Sequence, residues 1–150
     1  MIIRDAEEAD VAAVVALYAD DELGVARERP ELPLRQEYWR AFEAIRADPR
    51  HRLVVAVEDG RVIGTLQLSF VPHLVRQGGE RVQVEAVRVA ADHRGSGTGR
   101  ELLSWAVEQA RARGCRLVQL TTDAARPDAR RFYESLGFTA SHLGMKLALD

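Results

Sequence analysis

At 150 residues the chain lies in the size range of a single domain, and a domain of that length buries roughly 68–70% of its unfolded surface, enough for a self-supporting core. Hydrophobic residues at 47% and charged residues at 29% are ordinary globular usage and exclude a disordered chain. A net charge of −2 excludes a global positive field that would gather nucleic acid, and the single cysteine, Cys115, excludes an intramolecular disulfide framework.

The chain opens with Ile2-Ile3-Arg4, a short first strand. Met1 to Asp5 turns charged at once and has no apolar h-region, and no apolar run approaches the roughly 18 residues of a bilayer span. The expected location is the cytoplasm, with no membrane partner. Asp5 followed by Glu8 reads as a capping box opening a helix to about Tyr18, with Val11, Val14, Val15 and Tyr18 on one face. Residues 20–34 carry Asp20, Asp21, Gly24, Pro30 and Pro33 and read as a loop. A second helix is expected from about Leu34 to Ala47, with Tyr38, Phe42 and Ile45 on one stripe and Asp48-Pro49 ending it.

Three strands follow as an antiparallel meander. The first holds Leu53 to Val57, the turn Asp59-Gly60 leads to the second at Val62 to Val71, and Gln77-Gly78-Gly79 leads to the third at Arg81 to Val89. A third helix runs from the glycine-rich stretch to about Arg113, with Leu102, Leu103, Ala106, Val107 and Ala110 inside and Gly114 past its end. Leu117 to Thr121 reads as a buried strand, Asp128 to Leu136 as a fourth helix, and Phe138 to Leu149 as last strand material. The fold class is therefore α/β, a mixed sheet covered by helices, in the order β-α-α-β-β-β-α-β-α-β over one domain, 1–150.

Chemistry concentrates in Arg94-Gly95-Ser96-Gly97-Thr98-Gly99-Arg100, which runs from a strand through a glycine-rich turn into a helix. Glycines allow a tight turn and close approach of the backbone to a ligand. Successive N–H groups and the positive end of the following helix suit a phosphate, and Arg94 and Arg100 add full charges. The stretch is neither a Walker A loop nor a Gly-x-Gly-x-x-Gly fingerprint, and the strands before it alternate as antiparallel ones do. No histidine or cysteine spacing marks a metal site, so none is expected.

This loop resembles the acetyl-CoA loop of the GNAT N-acetyltransferases, Arg/Gln-x-x-Gly-x-Gly/Ala. Downstream, Ala129-Arg130-Arg131-Phe132-Tyr133-Glu134-Ser135-Leu136-Gly137-Phe138 resembles the family's Ala-x-x-Phe-Tyr-x-x-x-Gly-Phe. Element order fits over nearly the whole chain. The resemblance implies the GNAT fold, a central and mostly antiparallel sheet with helices on both faces. It implies acetyl-CoA as cosubstrate and transfer of its acetyl group to an amine by direct attack. The cofactor would lie in a splay between the fourth and fifth strands, the pantetheine arm pairing with the backbone of Val87 and Val89, and the pyrophosphate taking N–H bonds from Arg94, Gly95, Ser96, Gly97, Thr98, Gly99 and Arg100. An N–H near Val87 would polarise the thioester carbonyl.

Tyr133 matches the family's usual general acid, which reprotonates the departing thiolate. Glu85, two residues before Val87 and so on the same face of an unbroken strand, is the leading base; His73 and His142 are weaker ones, and His93 is expected to face solvent. Relatives often carry asparagine where Arg126 stands here, so that asparagine's role is not carried over; Asp128 is a candidate cap for the fourth helix, and Thr121, Thr122 and Asp123 are candidate pocket residues. The acceptor is expected to be a small-molecule amine, with residues 18–38 and 71–79 building its pocket. Acetylation of a peptide or protein amine, or a non-catalytic CoA-binding module, stands as the alternative. Family members are often dimers, so a homodimer is an open expectation.

Overall fold

Five strands cross a single sheet in the order in which they occur in the chain: β1 (Ile2–Asp5), β2 (His51–Glu58), β3 (Arg61–Val71), β4 (Arg81–Val89) and β5 (Leu117–Gln119). The first four are antiparallel to their neighbours and β5 is parallel to β4, so the sheet is mixed, as the sequence predicts. The computed structural model describes every residue from Met1 to Asp150, in two compact units, Met1–Gln119 and Leu120–Asp150.

In the first unit the β2–β3 turn is Asp59-Gly60, with φ of 50° and 75°. Positive φ at both central residues is what a two-residue hairpin needs to match the strands' twist. Period-two alternation then sends neighbouring side chains to opposite faces. Leu53 and Val55 pack with Val11, Val14 and Val15 of α1 (Val11–Ala19) and Phe42 of α2 (Gln36–Ala47). Arg52 points the other way: its guanidinium stacks 5.1 Å from the Trp105 ring of α3 (Thr98–Arg113) and donates to Gln109. Leu102, Leu103, Ala106 and Ala110 form the buried stripe of α3, and Val107 is half-buried. The helices of this unit therefore cover both faces of the sheet.

Helix starts are where local signals mislead. The capping box lies two residues later than Asp5 and Glu8: Glu7 and Asp10 form it around a short 3₁₀ turn, Glu8–Asp10. Asp10 is the residue that can do this because it is buried and already held by Arg4, at 2.7 and 3.2 Å, while accepting the Glu7 N–H at 2.7 Å. The Arg4 hydrogen bond, more than its burial, holds the Asp10 carboxyl below the usual carboxylate range. A depressed native pKa adds stability that is fully present above the unfolded value, about 4, and is lost as pH falls through the native one. Asp10→Asn should cost about 1–3 kcal/mol near neutrality. In urea titrations from pH 7 to pH 2 the gap between wild type and variant should close at the acid end; a constant gap would remove the ion pair as its cause.

In the second unit, Leu120–Asp150, α4 (Pro127–Ser135) begins with Pro127 at its first helical position, behind Arg126. A proline there loses no helical hydrogen bond and sets the helical φ in advance. Asp128 does not cap this helix; its carboxylate pairs with Arg131. Ala129, Phe132, Tyr133 and Leu136 lie at helical spacing and are all half-buried.

The helix closes with a Schellman arrangement: Phe138 N–H donates to the Tyr133 carbonyl at 3.1 Å and Gly137 N–H to that of Glu134 at 3.0 Å, with Gly137 at φ 97°. That motif brings the residue after the glycine against the helix, and the Phe138 ring meets the Tyr133 ring edge-on at 6.0 Å. The spacing Tyr-x-x-x-Gly-Phe is therefore a helix stop that fixes the tyrosine.

Two expected strands differ. The fifth stops at Gln119 rather than Thr121, and no strand forms after it. Residues 141–150 are exposed throughout. A strand exists only where its backbone groups find a partner, and the sheet ends at β5.

Candidate active site

The fourth strand and the glycine loop after it make the site. β4 pairs with β5 only from Arg81 to Gln83 and then runs on to Val89 without it. β5 ends at Gln119, so within the first unit no strand pairs with β4 on that side from Val84 to Val89, a stretch that includes Val87 and Val89.

Beside the opening, β4 is bulged. Gln67 of β3 faces Glu85, but Thr65 faces Arg88, so three steps on β4 answer two on β3. Ala86 takes up the extra residue at φ 53°, a left-handed conformation that costs an L-residue with a side chain about 1–2 kcal/mol. Strand partners share a face, so Glu85 and Arg88 fall on the face of Gln67 and Thr65, which is also that of Val55 and the α1–α2 core. Val89 falls on the opposite face. The unbroken alternation expected from Glu85 to Val89 does not hold.

On that face the charges converge on the end of α1. The Arg88 side chain lies 3.0 Å from the Asp21 carboxylate, both largely shielded, and donates to its neighbour's carbonyl, Val87, at 2.9 Å. Asp21 also accepts the Gly24 N–H. Tyr38 donates to Glu28 at 2.9 Å and accepts the Arg29 N–H at 2.9 Å, which orders the connection between α1 and α2. Burial pushes the Tyr18 hydroxyl up to about 12; Arg88 acts to lower it, and the Glu28 and Glu85 carboxylates to raise it. Glu85 is exposed. Two carboxylates and a guanidinium that act on the half-buried Tyr18 phenol can attract a cationic amine.

The glycine loop follows β4 directly. Gly95 and Gly97 have φ of 79° and 96°, and a Cβ at either would meet nothing within 4 Å, so backbone conformation alone demands glycine there. Gly97 immediately precedes α3, whose first-turn N–H groups have no acceptor within the helix. Ser96 Oγ and Thr98 Oγ1 lie 3.0 Å apart, with Thr98 buried against the sheet. Arg94 bonds the Val89 and Asp20 carbonyls at 3.2 and 3.1 Å, so it braces the loop against β4 and the end of α1. The exposed Arg100 sits in the first turn of α3. An open cradle with left-handed glycines, helix N–H donors and nearby guanidinium groups fits a pyrophosphate.

The histidines have other duties. His73 Nε2 accepts from Arg81 at 3.0 Å, which occupies the lone pair a base would use. His142 is exposed beside Ser141. His93 does not face solvent freely: it bridges Asp92 at 3.1 Å and Glu58 at 3.0 Å, while Arg61 pairs with Asp92 at 2.7 Å. Hydrogen bonds to Asp92 and then Glu58 raise its pKa. This network ties the β2–β3 turn to the start of the glycine loop. No group of three or more histidine, cysteine or acidic side chains is placed to hold a metal ion.

In the second unit, the Tyr133 ring is held between Phe132, 5.3 Å away, and Phe138. Thr121, Thr122 and Asp123 are exposed, and Asp123 only closes a turn onto the Ala125 N–H at 2.8 Å. Sequence reasoning missed the bulge and the place of Arg88. An arginine between Val87 and Val89 was the one available signal; Ala86 gave none, because left-handed residues are usually glycine.

Comparison with known proteins agrees with this geometry. A family model, Acetyltransferase (GNAT) family, matches residues 10–138. The aminoalkylphosphonate N-acetyltransferase of Salmonella typhimurium is 33% identical over 114 residues, 76% of this chain and 73% of that protein. Glucosamine 6-phosphate N-acetyltransferase 1 of Oryza sativa is 34% identical over 122 residues, 79% of this chain and 72% of that one. A crystal structure from Bacillus halodurans C-125, described as a transcriptional regulator, is 49% identical and superposes with a TM-score of 0.97 over 99% of both chains. With the glycine loop and the family match in agreement, the chain belongs to the GNAT acetyltransferase family and is an acyltransferase.

Proposed function

We propose that residues 1–150 act as one N-acetyltransferase domain, moving the acetyl group of acetyl-CoA to the primary amine of a small molecule by direct attack in a ternary complex. The observation that carries the reading is the stretch of β4 from Val84 to Val89 that no strand of the first unit pairs on the β5 side, with a strained bulge in it and the glycine loop at its end. An extended pantetheine arm would find backbone partners along such a stretch, and the loop that follows β4 would take its pyrophosphate.

The neutral amine attacks the thioester carbon, forming the C–N bond while the oxyanion takes a hydrogen bond from the backbone near Val87. As the C–S bond breaks, Tyr133 gives the CoA sulfur its proton. Glu85, directly or through water, takes the proton that the amine nitrogen sheds. Its exposure on the face shared with Arg88 supports that role. A small acceptor is supported by the two curated relatives, whose names give an aminoalkylphosphonate and a sugar phosphate as substrates. The regulator described for the Bacillus structure finds no support in the even charge balance of this chain.

The test is CoA release from acetyl-CoA over a panel of aminophosphonates, amino sugar phosphates, amino acids, polyamines and peptides with free N-termini. Turnover should appear in one small-molecule class, and Glu85→Gln should lower kcat/KM for it by about 10–100-fold. Turnover of peptides alone would move the assignment to peptide acetylation. Acetyl-CoA binding with no turnover would make this a CoA-binding module, and an unaffected Glu85→Gln enzyme would remove Glu85 as the base.

A further inference from the structure

One half-buried charge of the first unit has no counter-charge. The half-buried arginines there are Arg4, Arg52, Arg81 and Arg88. Arg4 pairs with Asp10, Arg52 with Asp5 and Arg88 with Asp21. Arg81, at the start of β4, has neutral partners instead: its Nε–H donates to His73 Nε2 at 3.0 Å and an Nη1–H to Gln119 Oε1 at 2.9 Å. A guanidinium has five N–H donors, so three are left over. Drawing a cation out of water with no anion beside it is unfavourable. His73 adds to the excess of donors. Because arginine can only donate, Nε2 holds the lone pair and the ring proton sits on Nδ1, a buried atom with no hydrogen-bond partner.

This charge shares a face with Glu85. Arg81, Gln83 and Glu85 stand at alternate positions of β4 ahead of the bulge, opposite Val71, Ser69 and Gln67 of β3. Gln119 lies beside Gln83 in the register and donates to its Oε1 at 2.6 Å. The bond to Gln119 therefore draws the Arg81 guanidinium to the Gln83 row, one row short of Glu85. Two residues of strand span about 6.6 Å. Between the two charges lie only neutral polar side chains, the half-buried Gln67, Ser69 and Gln83. We infer that the acceptor is an amine with an oxyanion at its far end, the anion held by Arg81 and the amine facing Glu85, with about 6–8 Å between nitrogen and anion. Its amine end rests on the acetyl-transfer reading. A phosphate, phosphonate or carboxylate supplies the charge, and the distance asks for about four or five carbons, or a sugar ring, between the two groups. An α-amino acid or aminomethylphosphonate is too short.

Matched amines separate the charge from the chain. In CoA-release assays 4-aminobutylphosphonate should exceed 5-amino-1-pentanol, of similar length and uncharged at that end, by about 50-fold in kcat/KM, carried mainly by KM. 5-Aminopentanoate should fall between them, and aminomethylphosphonate at least tenfold below 4-aminobutylphosphonate. Arg81→Met keeps the apolar stem and removes the charge, so the anionic-to-neutral ratio should drop below about fivefold. Arg81→Lys, which keeps the charge and loses the fork, should retain part of it. Arg111→Met removes the same charge from an exposed position on α3 and should leave the ratio as in wild type. Circular dichroism and thermal melting check that each variant is folded.

Calorimetric titration of 4-aminobutylphosphonate into the protein with CoA bound tells the two readings apart. Binding that weakens at least tenfold in Arg81→Met, with no amine turned over, would keep the anion site and set aside acetyl transfer. Turnover with no preference for the anionic amine, or a preference that survives Arg81→Met, would keep the transferase and overturn the anion site. Absence of binding in the titration, or a preference for the one-carbon phosphonate over the four-carbon one, would overturn it as well.

Discussion

Tyr133→Phe is expected to lower kcat by about 10²–10³-fold while leaving the KM for acetyl-CoA within about twofold. The argument rests on what the substitution keeps. The ring is held by Phe132 at 5.3 Å and Phe138 at 6.0 Å, and the backbone by the Gly137 helix stop. Phenylalanine preserves all of those contacts and removes only the hydroxyl. A loss confined to kcat marks an interaction made in the transition state. A general acid matters here because a thiolate of pKa near 8.5 leaves only moderately well without a proton. Steady-state kinetics with thermal melting of both proteins checks this. Unchanged kcat would return Tyr133 to the role of a packing residue, and a drop that tracks a lowered melting temperature would mean the same.

Gly97→Val should act on the other constant, raising the KM for acetyl-CoA at least tenfold with kcat changed only a few-fold. At φ 96° the backbone turns into α3 in a way a β-branched residue resists strongly. Space is not the obstacle, since a Cβ there meets nothing within 4 Å. The chain would instead re-aim the N–H groups at the start of the helix. Gly60→Val supplies the matched control, because Gly60 also has positive φ and free space, in the β2–β3 turn. Both variants should lose comparable stability, and only Gly97→Val should lose affinity for acetyl-CoA in calorimetric titration. Equal losses of affinity would mean that the loop does not hold the cosubstrate.

Much of this architecture was legible in the amino acids. The meander followed from alternating valines broken by Asp59-Gly60, and α3 from its leucine and alanine stripe. The loop followed from three alternate glycines ahead of that helix. These signals are local and need no knowledge of the partner. What escaped was set by pairing. The first helix's box moved to Glu7 and Asp10 because Arg4, on the neighbouring strand, claims Asp10. His93 found Glu58 and Asp92 through a hairpin that brings them close only after folding. The last strand failed for the same reason from the other side: Leu143 to Leu149 alternates, but the sheet has no strand after β5. Periodicity reports which face a residue would show, never whether a neighbour is there to meet it.

The bulge at Ala86 has a bearing on how this chain tolerates mutation. A left-handed residue of a strand admits little beyond a methyl group, so valine or isoleucine, the natural choices for a strand, are the worst ones here. Glycine would relieve the strain but return conformational freedom to the strand. Drawing the extra residue into plain alternation would instead send Arg88 to the far face, away from Asp21 and Tyr18. Alanine is thus the narrow solution that keeps the extra residue and holds it in one shape. The parity of the whole acceptor-facing half of β4 rests on a position whose side chain is a single carbon.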